Sequence, residues 1–222
     1  MLERDDGYTQ PSLPASRFFA PYPDWPPEER DAMRFVDGRV LDIGCGAGRH
    51  LLYLQHRGHD VLGIDVSPGA LEVCRRRGAG KVELLSVKQL GPRLGTFDAV
   101  LMMCGNFGLF GTERRARRLL RRLAGMTSPK ARIVADVVDP TGTGDPDALA
   151  YQQRNRERGL PPGYVRLRLR YRGCATPWFE LLNLSPGELS ALLDGTGWYP
   201  RAILETAGPN YVAILAKSAG SA

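Results

Sequence analysis

The sequence is poor in cysteine and has no pair of the C-x-x-C type. Its four cysteines lie far apart, at Cys45, Cys74, Cys104 and Cys174. A disulfide framework or a zinc site needs cysteines that can pair or cluster, so this spacing favours reduced thiols in the cytoplasm. We therefore expect neither a disulfide framework nor a metal.

The sequence also lacks long apolar runs. No stretch of about 18 apolar residues occurs, so no membrane-spanning helix and no membrane partner are predicted. The first ten residues, M-L-E-R-D-D-G-Y-T-Q, contain no apolar core of the length found in signal peptides. We accordingly expect a cytoplasmic protein.

The apolar residues that are present suffice for one core. The chain has 222 residues, of which 43% are hydrophobic, and this fits a single α/β domain. Its net charge of +6 comes mostly from arginines that are dispersed through predicted helices. We interpret these arginines as mostly solvated surface, although a basic protein also suits acidic partners such as nucleic acid.

Residues 1–37 are polar and proline-rich, and they form a predicted N-terminal arm. Prolines prevent a long helix until the segment P-P-E-E-R-D-A-M-R-F-V, whose prolines and acids are typical of a helix start. Four aromatic residues cluster in the arm: Phe18, Phe19, Tyr22 and Trp25. Since disordered tails are poor in aromatics, we expect the arm to fold back over the sheet, as ordinary packing or as a lid.

Residues 38–217 form the predicted main domain. Strands recur with helices between them over 39–138, which predicts crossover connections and a parallel sheet covered on both faces. An insertion at about 140–184 breaks this rhythm, and its segment V-R-L-R-L-R-Y-R predicts a half-exposed strand of a β-hairpin. The last two predicted strands have a short A-G-P link and must be antiparallel. Residues 218–222 are a predicted disordered tail.

The stretch V-L-D-I-G-C-G-A-G-R-H, residues 40–50, organises the predicted sheet. A short apolar strand is followed by glycines at alternate positions, Gly44, Gly46 and Gly48. Glycine permits the sharp bend and the close approach to a ligand that such a turn requires. A helix follows the turn, and its first N–H groups face the same ligand.

Two carboxylates at strand ends narrow the choice of ligand. Asp65 ends the second strand, where an acid can accept hydrogen bonds from ribose hydroxyls of a dinucleotide or of S-adenosylmethionine. A dinucleotide fingerprint would place its third glycine at position 49, which is Arg49, and Asp42 would repel a pyrophosphate. An acid at position 42 suits an ammonium group instead. The pattern therefore favours a ligand with a ribose and an α-amino group.

Three segments carry recognisable motifs: D-I-G-C-G-A-G at 42–48, G-I-D-V-S at 63–67 and F-D-A-V-L-M-M-C-G-N at 97–106. They resemble motifs of the class I S-adenosylmethionine-dependent methyltransferases. The resemblance implies an α/β, Rossmann-like methyltransferase fold with helices on both faces of a seven-stranded, mostly parallel sheet. It also implies the strand order 3-2-1-4-5-7-6 with the seventh strand antiparallel, to which this chain adds the inserted hairpin.

The resemblance also implies a set of cofactor-binding residues. Asp42 and the glycine turn would hold the methionine end of S-adenosylmethionine, and Asp65 would bind its ribose. Many family members have an acid after the third strand for the adenine; here that place is Ser86, so contacts would fall to Ser86 and to nearby backbone. The predicted set is Asp42, Gly44, Cys45, Gly46, Gly48, Asp65, Val66, Ser86, Val87, Cys104, Gly105 and Asn106.

Catalysis by such a site depends mainly on positioning. A sulfonium methyl is already activated, so the protein must hold a nucleophile in line at about 3 Å and exclude water. A base is needed only if the nucleophile must lose a proton. The candidate catalytic residues are His50, Asn106 and Tyr151. The candidate acceptor contacts are Phe107, Tyr22, Trp178 and Phe179, although such aromatics are as often ordinary core.

We expect methyl transfer to a small-molecule acceptor, such as a secondary metabolite. The alternatives are an RNA or protein methyltransferase that uses the basic surface, a non-catalytic S-adenosylmethionine-binding protein, and a nicotinamide oxidoreductase. The segment C-G-N-F-G lacks the prolines of family motifs that methylate planar amines, which favours the small molecule. The arginines of 113–122 lie opposite an apolar stripe and are predicted to face solvent. The hairpin arginines leave a homodimer open.

Overall fold

The computed structural model describes residues 1–218, which form twelve strands and six α-helices. The strands are β1 Leu2–Arg4, β2 Thr9–Gln10, β3 Arg39–Ile43, β4 Asp60–Asp65, β5 Val82–Leu84, β6 Phe97–Met102, β7 Thr127–Val138, β8 Tyr164–Tyr171, β9 Cys174–Ala175, β10 Phe179–Leu182, β11 Trp198–Glu205 and β12 Asn210–Lys217. The helices are α1 Pro27–Ala32, α2 Arg49–His56, α3 Pro68–Arg76, α4 Glu113–Gly125, α5 Pro146–Glu157 and α6 Pro186–Leu193. Short 3-10 helices join several of them.

Seven strands form the main sheet, in the order β11-β12-β7-β6-β3-β4-β5. The five strands from β3 to β7 are parallel, while β12 is antiparallel to both β7 and β11. This arrangement confirms the predicted fold class and the order 3-2-1-4-5-7-6. The central strands are nearly continuous apolar runs because helices cover both faces of the sheet.

Two apolar clusters lie on the two faces of the main sheet. One contains the buried side of α4 and α6, and the other contains residues of α1, α2 and α3. In α4 the predicted stripe is fully buried, at Ala116, Leu119, Leu120 and Leu123. Burial of each leucine contributes roughly 2 kcal/mol to stability. The arginines between them are left on the outside, as predicted.

A second sheet joins the two irregular parts of the chain. Its order is β10-β8-β1-β2, with β9 paired to β8, and we call it the accessory sheet. In it Leu2 pairs with Leu169, so the start of the arm lies against the predicted hairpin. The arm and the insertion are predicted as separate features, and β1 and β2 are not predicted at all. Partners about 165 residues apart leave no local signal of their pairing.

An ion-pair cluster holds the start of the arm to the accessory sheet. Glu3 on β1 accepts from Arg168 at 2.8 Å and also pairs with Arg170. The hydrogen bond from Arg168 is the main reason that the pKa of Glu3 is lowered to about 2. The alternating arginines of β8 are thus partly neutralised within the chain, since Arg168 and Arg170 share one carboxylate.

Helices that could cross a membrane do not occur in residues 1–218. The same range contains no group of three or more potential metal ligands. The predicted tail at 218–222 lies, apart from Ser218, outside the described residues.

Candidate functional site

The turn between β3 and α2 has a backbone that requires glycine. Gly44, Gly46 and Gly48 have φ values of 75°, 53° and 84°, in the left-handed region. A Cβ on Gly44 would overlap the side-chain amide of Asn106, and one on Gly48 would lie 2.6 Å from the Cys74 sulfur. A Cβ on Gly46 would meet nothing within 4 Å. Two glycines are therefore needed for packing, while Gly46 borders open space.

Asp65, at the end of β4, holds this turn in place. One carboxylate oxygen accepts from the Gly46 N–H at 2.9 Å, and the other accepts from the Ser67 N–H at 2.8 Å. The N–H groups of Gly44 and Cys45 both donate to the Ile64 carbonyl. Each carboxylate oxygen has two lone pairs, so Asp65 retains one acceptor position on each oxygen. Those positions suit two vicinal hydroxyls.

Asp42 is buried below the turn and is only partly satisfied. Its side chain is 3% exposed, and its Oδ2 finds no hydrogen-bond partner among residues 1–218. Burial is the largest cause that raises its pKa, to about 8, and the negative charges of Cys74 and Asp65 add to it. An unpaired buried oxygen is costly. A cationic group placed beside Asp42 would supply the missing donor and ionise the carboxyl.

Two thiols lie against the turn. A hydrogen bond between Cys45 and Cys74 raises the pKa of Cys45 and lowers that of Cys74. Both side chains are buried and both are free thiols, as predicted from their spacing. They pack the turn against α3, and no ligand contact is needed to explain them.

The end of β6 is tied to the turn by Asn106. Its Nδ2 donates to the carbonyls of Ile43 at 3.0 Å and Gly44 at 3.1 Å. Cys104 and Gly105 before it have φ values of 59° and 75°, so the chain bends sharply here. Burial raises the pKa of the Cys104 thiol to about 11, which keeps it protonated near neutral pH. The amide of Asn106 serves as an anchor, with its donors already used.

The predicted adenine segment follows β5. The Ser86 hydroxyl accepts from the Lys88 N–H, and its own N–H donates to the Gln89 side chain, which forms a capping box. Val87 is buried, whereas Val66 beside Asp65 is 68% exposed. Val66 follows Asp65, the predicted ribose contact, and its exposed side chain offers an apolar surface that an adenine ring can cover.

A buried ionic cluster that the sequence reading missed lies where the arm crosses α2. Glu29 accepts a hydrogen bond from Arg17 at 3.1 Å, forms an ion pair with Arg49 at 2.9 Å and contacts His50 at 3.3 Å. Burial opposes ionisation of Glu29, but these partners lower its pKa overall. The sequence contains a feature that could have identified Arg49 as a site residue, because it directly follows the glycine motif. For Glu29 the only such feature is its place in the first turn of a helix.

His50, a candidate catalytic residue, lies inside this cluster. It is 6% exposed, and burial lowers its pKa despite the contact with Glu29. The ring of Trp25 packs on it edge-on at 4.6 Å. Its role in the structure is to pack the arm onto α2. Tyr22 has a similar place, stacked on Tyr53 with ring centres 4.3 Å apart.

The remaining predicted acceptor contacts are dispersed. Phe107 is fully buried in the core against Phe110, so its side chain has no surface to offer to a ligand. Tyr151, a candidate catalytic residue, lies on α5 and donates to Asp5 at 2.8 Å. The half-buried ring of Trp178 covers the guanidinium of Arg168 at 4.5 Å. The structure distributes these aromatic side chains between the core and the accessory sheet. Half-buried Phe179 lies on β10.

A second buried carboxyl was also missed. Asp136 on β7 is 5% exposed and accepts from the Asn210 side chain at 2.9 Å. Burial raises its pKa, and the hydrogen bonds from Asn210 and the Gly105 N–H oppose that rise. Asp136 therefore braces the bend at the end of β6. An aspartate within an apolar run, V-A-D-V-V, is the signal that could have identified it.

Comparisons with known proteins agree with the fold. The family model described as "Methyltransferase domain" matches residues 40–130. A solved structure of an S-adenosylmethionine-dependent methyltransferase from Bacteroides fragilis, in complex with S-adenosyl-L-homocysteine, is 25% identical with a TM-score of 0.82. The alignment covers 98% of this chain and 87% of that one.

Curated relatives match over shorter spans. Magnesium-protoporphyrin O-methyltransferase from Rhodobacter capsulatus is 36% identical over 90 residues, which are 34% of this chain and 40% of that protein. The bovine (Bos taurus) 18S rRNA (guanine-N(7))-methyltransferase is 47% identical over 86 residues, or 38% and 31% of the two chains. This chain thus spans less than half the length of either relative. The family-model match, the sheet order and the solved neighbour together support a class I S-adenosylmethionine-dependent methyltransferase.

Proposed function

We propose that this protein transfers the methyl group of S-adenosylmethionine by in-line displacement to a small-molecule acceptor. The observation that carries the proposal is the unpaired, buried Oδ2 of Asp42 beneath the open face of Gly46. A buried acceptor without a donor is stabilised when a cation arrives, and the cofactor has an ammonium group. Asp65 retains the acceptor positions that ribose hydroxyls need.

The residues have separate tasks in this proposal. Asp42 holds the α-amino group, Asp65 the ribose, and Ser86 with the backbone at Val87 the adenine. The bound cofactor supplies an already activated methyl group. The bend at Cys104 and Gly105, fixed by Asn106, would border the acceptor, while the arm excludes water. His50 is buried with its Nε2 against Glu29, and the Cys104 thiol is protonated, so the proposal relies on positioning.

Binding measurements test the cofactor site. Asp65→Asn should weaken S-adenosylhomocysteine binding by about 10- to 100-fold, because an amide presents one acceptor oxygen instead of two. Asp60→Asn, at the opposite end of β4 and paired with Lys81, is the matched control and should bind like the wild type. Calorimetric titration measures both. Tight binding of NAD with no binding of S-adenosylhomocysteine would refute the cofactor assignment.

Turnover tests the acceptor class. The protein is incubated with S-adenosylmethionine and with panels of small amines, phenols and carboxylic acids, and S-adenosylhomocysteine is quantified. Product with a small acceptor supports the proposal. Cofactor binding without turnover on any acceptor would favour the non-catalytic alternative.

One observation favours RNA as a second candidate acceptor. Three arginines of α4 have neither an ion pair nor a side-chain hydrogen bond among residues 1–218, namely Arg114, Arg118 and Arg121, whereas Arg115, Arg117 and Arg122 are held within the chain. The Bos taurus relative is named as an rRNA methyltransferase. RNA binding that weakens steeply with salt, together with methylation of RNA, would support this candidate. Charge reversal of the three arginines would then abolish binding, while small-molecule turnover would be unaffected.

A further inference from the structure

We propose that the edge strand β5 pairs with β5 of a second copy of this chain and joins two main sheets into one across a twofold axis. This inference is independent of the proposed function, because no residue of β5 belongs to the cofactor site described above. β5 is the last strand of the main sheet, and among residues 1–218 it pairs only with β4. One side of β5 is therefore open.

The backbone of β5 presents free hydrogen-bonding groups along this side. The Lys81 carbonyl and the Leu85 N–H both bond to β4, so alternate residues of β5 face that strand. Val82 and Leu84 lie between those positions, and their N–H and C=O groups point away from the sheet. Such a row of free groups is a template for pairing with another strand.

The two edges of the main sheet differ in how they are protected. Edge strand β11 contains Pro200, and its register shifts between Pro200 and Ala202. Proline and a bulge both hinder the addition of a further strand. β5 contains no proline, and its Leu84 side chain is 57% exposed. An exposed leucine on an open edge favours pairing at β5.

The residue types of β5 select one register for a copy of itself. A twofold axis makes the two strands antiparallel and self-complementary. With the axis at Val82, Lys81 lies opposite Glu83 of the partner subunit, so two pairs of opposite charge form. Leu84 lies opposite Gly80 of the partner subunit, where no side chain competes for space.

The same register matches the free backbone groups. Val82 exchanges two hydrogen bonds with Val82 of the partner subunit, and each Leu84 N–H reaches a Gly80 carbonyl. The Gly80 N–H is not needed for this pairing, since it already donates to the Gln55 side chain at 2.8 Å. The outward donors of β5 are thus used without breaking any bond inside the chain.

Lys81 and Glu83 can each take a second partner. Lys81 donates to Asp60 at 2.6 Å, and Glu83 accepts from Arg93 at 3.2 Å. The Lys81 and Glu83 side chains nevertheless remain 60% and 41% exposed. An ammonium has three donors and a carboxylate two oxygens, so both pairs can extend across the axis. A lysine alone protects an edge, whereas this lysine and glutamate accept one partner, the same strand reversed.

A groove beside β5 enlarges the surface that a second copy can cover. Its volume is about 410 Å³, and its lining includes buried Leu62 and Leu94 together with Lys81, Glu83 and Arg93. The groove opens on the face that carries Lys81 and Glu83. Side chains of the partner subunit therefore have an apolar floor to contact beside the ion pairs.

Sedimentation velocity on the full chain tests the dimer. The wild type should be a dimer at about 100 µM and should dissociate on dilution. Leu84→Pro removes an outward N–H that the fold does not use, and symmetry removes it twice, so the dissociation constant should rise at least about tenfold. Circular dichroism checks that this variant is folded.

Charge reversal tests the register with a matched control. Lys81→Glu and Glu83→Lys should each weaken the dimer, because each places like charges opposite one another. The double variant Lys81→Glu/Glu83→Lys should restore it. Lys130→Glu makes the same charge change at an exposed position of β7 and should leave the dissociation constant unchanged.

Cross-linking provides the second measurement of the register. The exposed thiol of Cys174 is first removed by Cys174→Ser. In this background, a mixture of the Lys81→Cys and Glu83→Cys proteins should form a disulfide between subunits after oxidation with diamide, and either protein alone should form much less.

Two results would overturn the proposal. One is a wild type that stays monomeric at about 100 µM. The other is a dimer that persists in Leu84→Pro and Lys81→Glu and is not cross-linked in the mixture, since another surface then forms it. None of these outcomes depends on S-adenosylhomocysteine binding, so failure of the dimer and failure of the proposed function are distinguishable.

Discussion

Two buried carboxyl groups lie on either side of the glycine turn, and their surroundings are opposite. Asp42 has an oxygen without a partner, and burial raises its pKa to about 8. Glu29 contacts Arg17, Arg49 and His50, and its pKa is lowered. Burial raises the pKa of both carboxyl groups, so the opposite net shifts come from their partners. Asp42 has an oxygen that no described side chain satisfies, whereas Glu29 organises side chains of the protein.

The largest expected effect is on pH-dependent stability. The pKa of Asp42 is raised from an ordinary value of 3.8 to about 8, so the folded state holds its proton between those values. Without ligand, the stabilisation is fully present below pH 3.8 and is lost as pH rises to about 8, by at most about 6 kcal/mol. Asp42→Asn removes this slope.

Urea unfolding at several pH values measures this pH dependence of the unfolding free energy. The difference between the free energies of wild type and Asp42→Asn separates the contribution of Asp42 from that of other titrating groups. Asp42→Asn should be the more stable protein at pH 8. Parallel stability curves for the two proteins would show that Asp42 ionises freely in the folded state, and the contrast with Glu29 would disappear.

Glu29→Gln should produce the next largest effect. The change leaves the buried guanidinium of Arg49 and the partly exposed one of Arg17 without their counter-charge, which costs about 3 kcal/mol of unfolding free energy at pH 7. Urea unfolding provides the measurement. Glu28→Gln, one position earlier in α1 and without an ion pair among residues 1–218, is the matched control and should change stability by less than about 0.5 kcal/mol. Equal effects of the two variants would contradict a special role for Glu29.

The next prediction concerns the proton that Asp42 releases when a ligand binds, which Glu29 would not release. The ammonium of S-adenosylhomocysteine should lower the pKa of Asp42, so binding at pH 7 releases close to one proton. Affinity should then rise up to tenfold per pH unit below about pH 8. Calorimetric titration in buffers of different ionisation enthalpy counts the protons. An enthalpy of binding that is the same in all buffers would refute the contact with Asp42.

The smallest expected effect is on the accessory sheet. Arg168→Gln removes a half-exposed partner of Glu3, but Arg170 remains and solvent screens the pair. The melting temperature should fall by no more than a few degrees, and nucleoside binding should not change. Differential scanning calorimetry measures the first and titration the second. A large loss of binding would mean that the accessory sheet shapes the site directly.

Much of the cofactor half of the site was predictable because its signals are local. Gly44, Gly46 and Gly48 follow one strand within a few residues, and Asp65 ends the next. Parallel strands must bring these ends to one edge, which is a consequence of the alternating pattern alone. The assignment of these residues to cofactor contacts stays a prediction until a ligand is measured.

The other half was not predictable from pattern. Glu29, Arg17 and Asp136 belong to separate elements, and nothing in their neighbourhoods indicates that they are buried together. Phe107 and Tyr151 were chosen by residue type, and the structure places Phe107 in the core and Tyr151 on α5, where its hydroxyl donates to Asp5. Residue type suggests a capacity for contact, but burial determines whether that capacity is available.

The sequence by itself determined the parallel sheet, the glycine turn and the two acidic strand ends, because periodicity and backbone freedom act over a few residues. Only the tertiary structure decided that Leu2 pairs with Leu169 and that Asp42 is left unpaired while Glu29 is saturated. Those outcomes depend on burial and on contacts between distant segments. Partner choice inside a core arises from the packing of the whole chain.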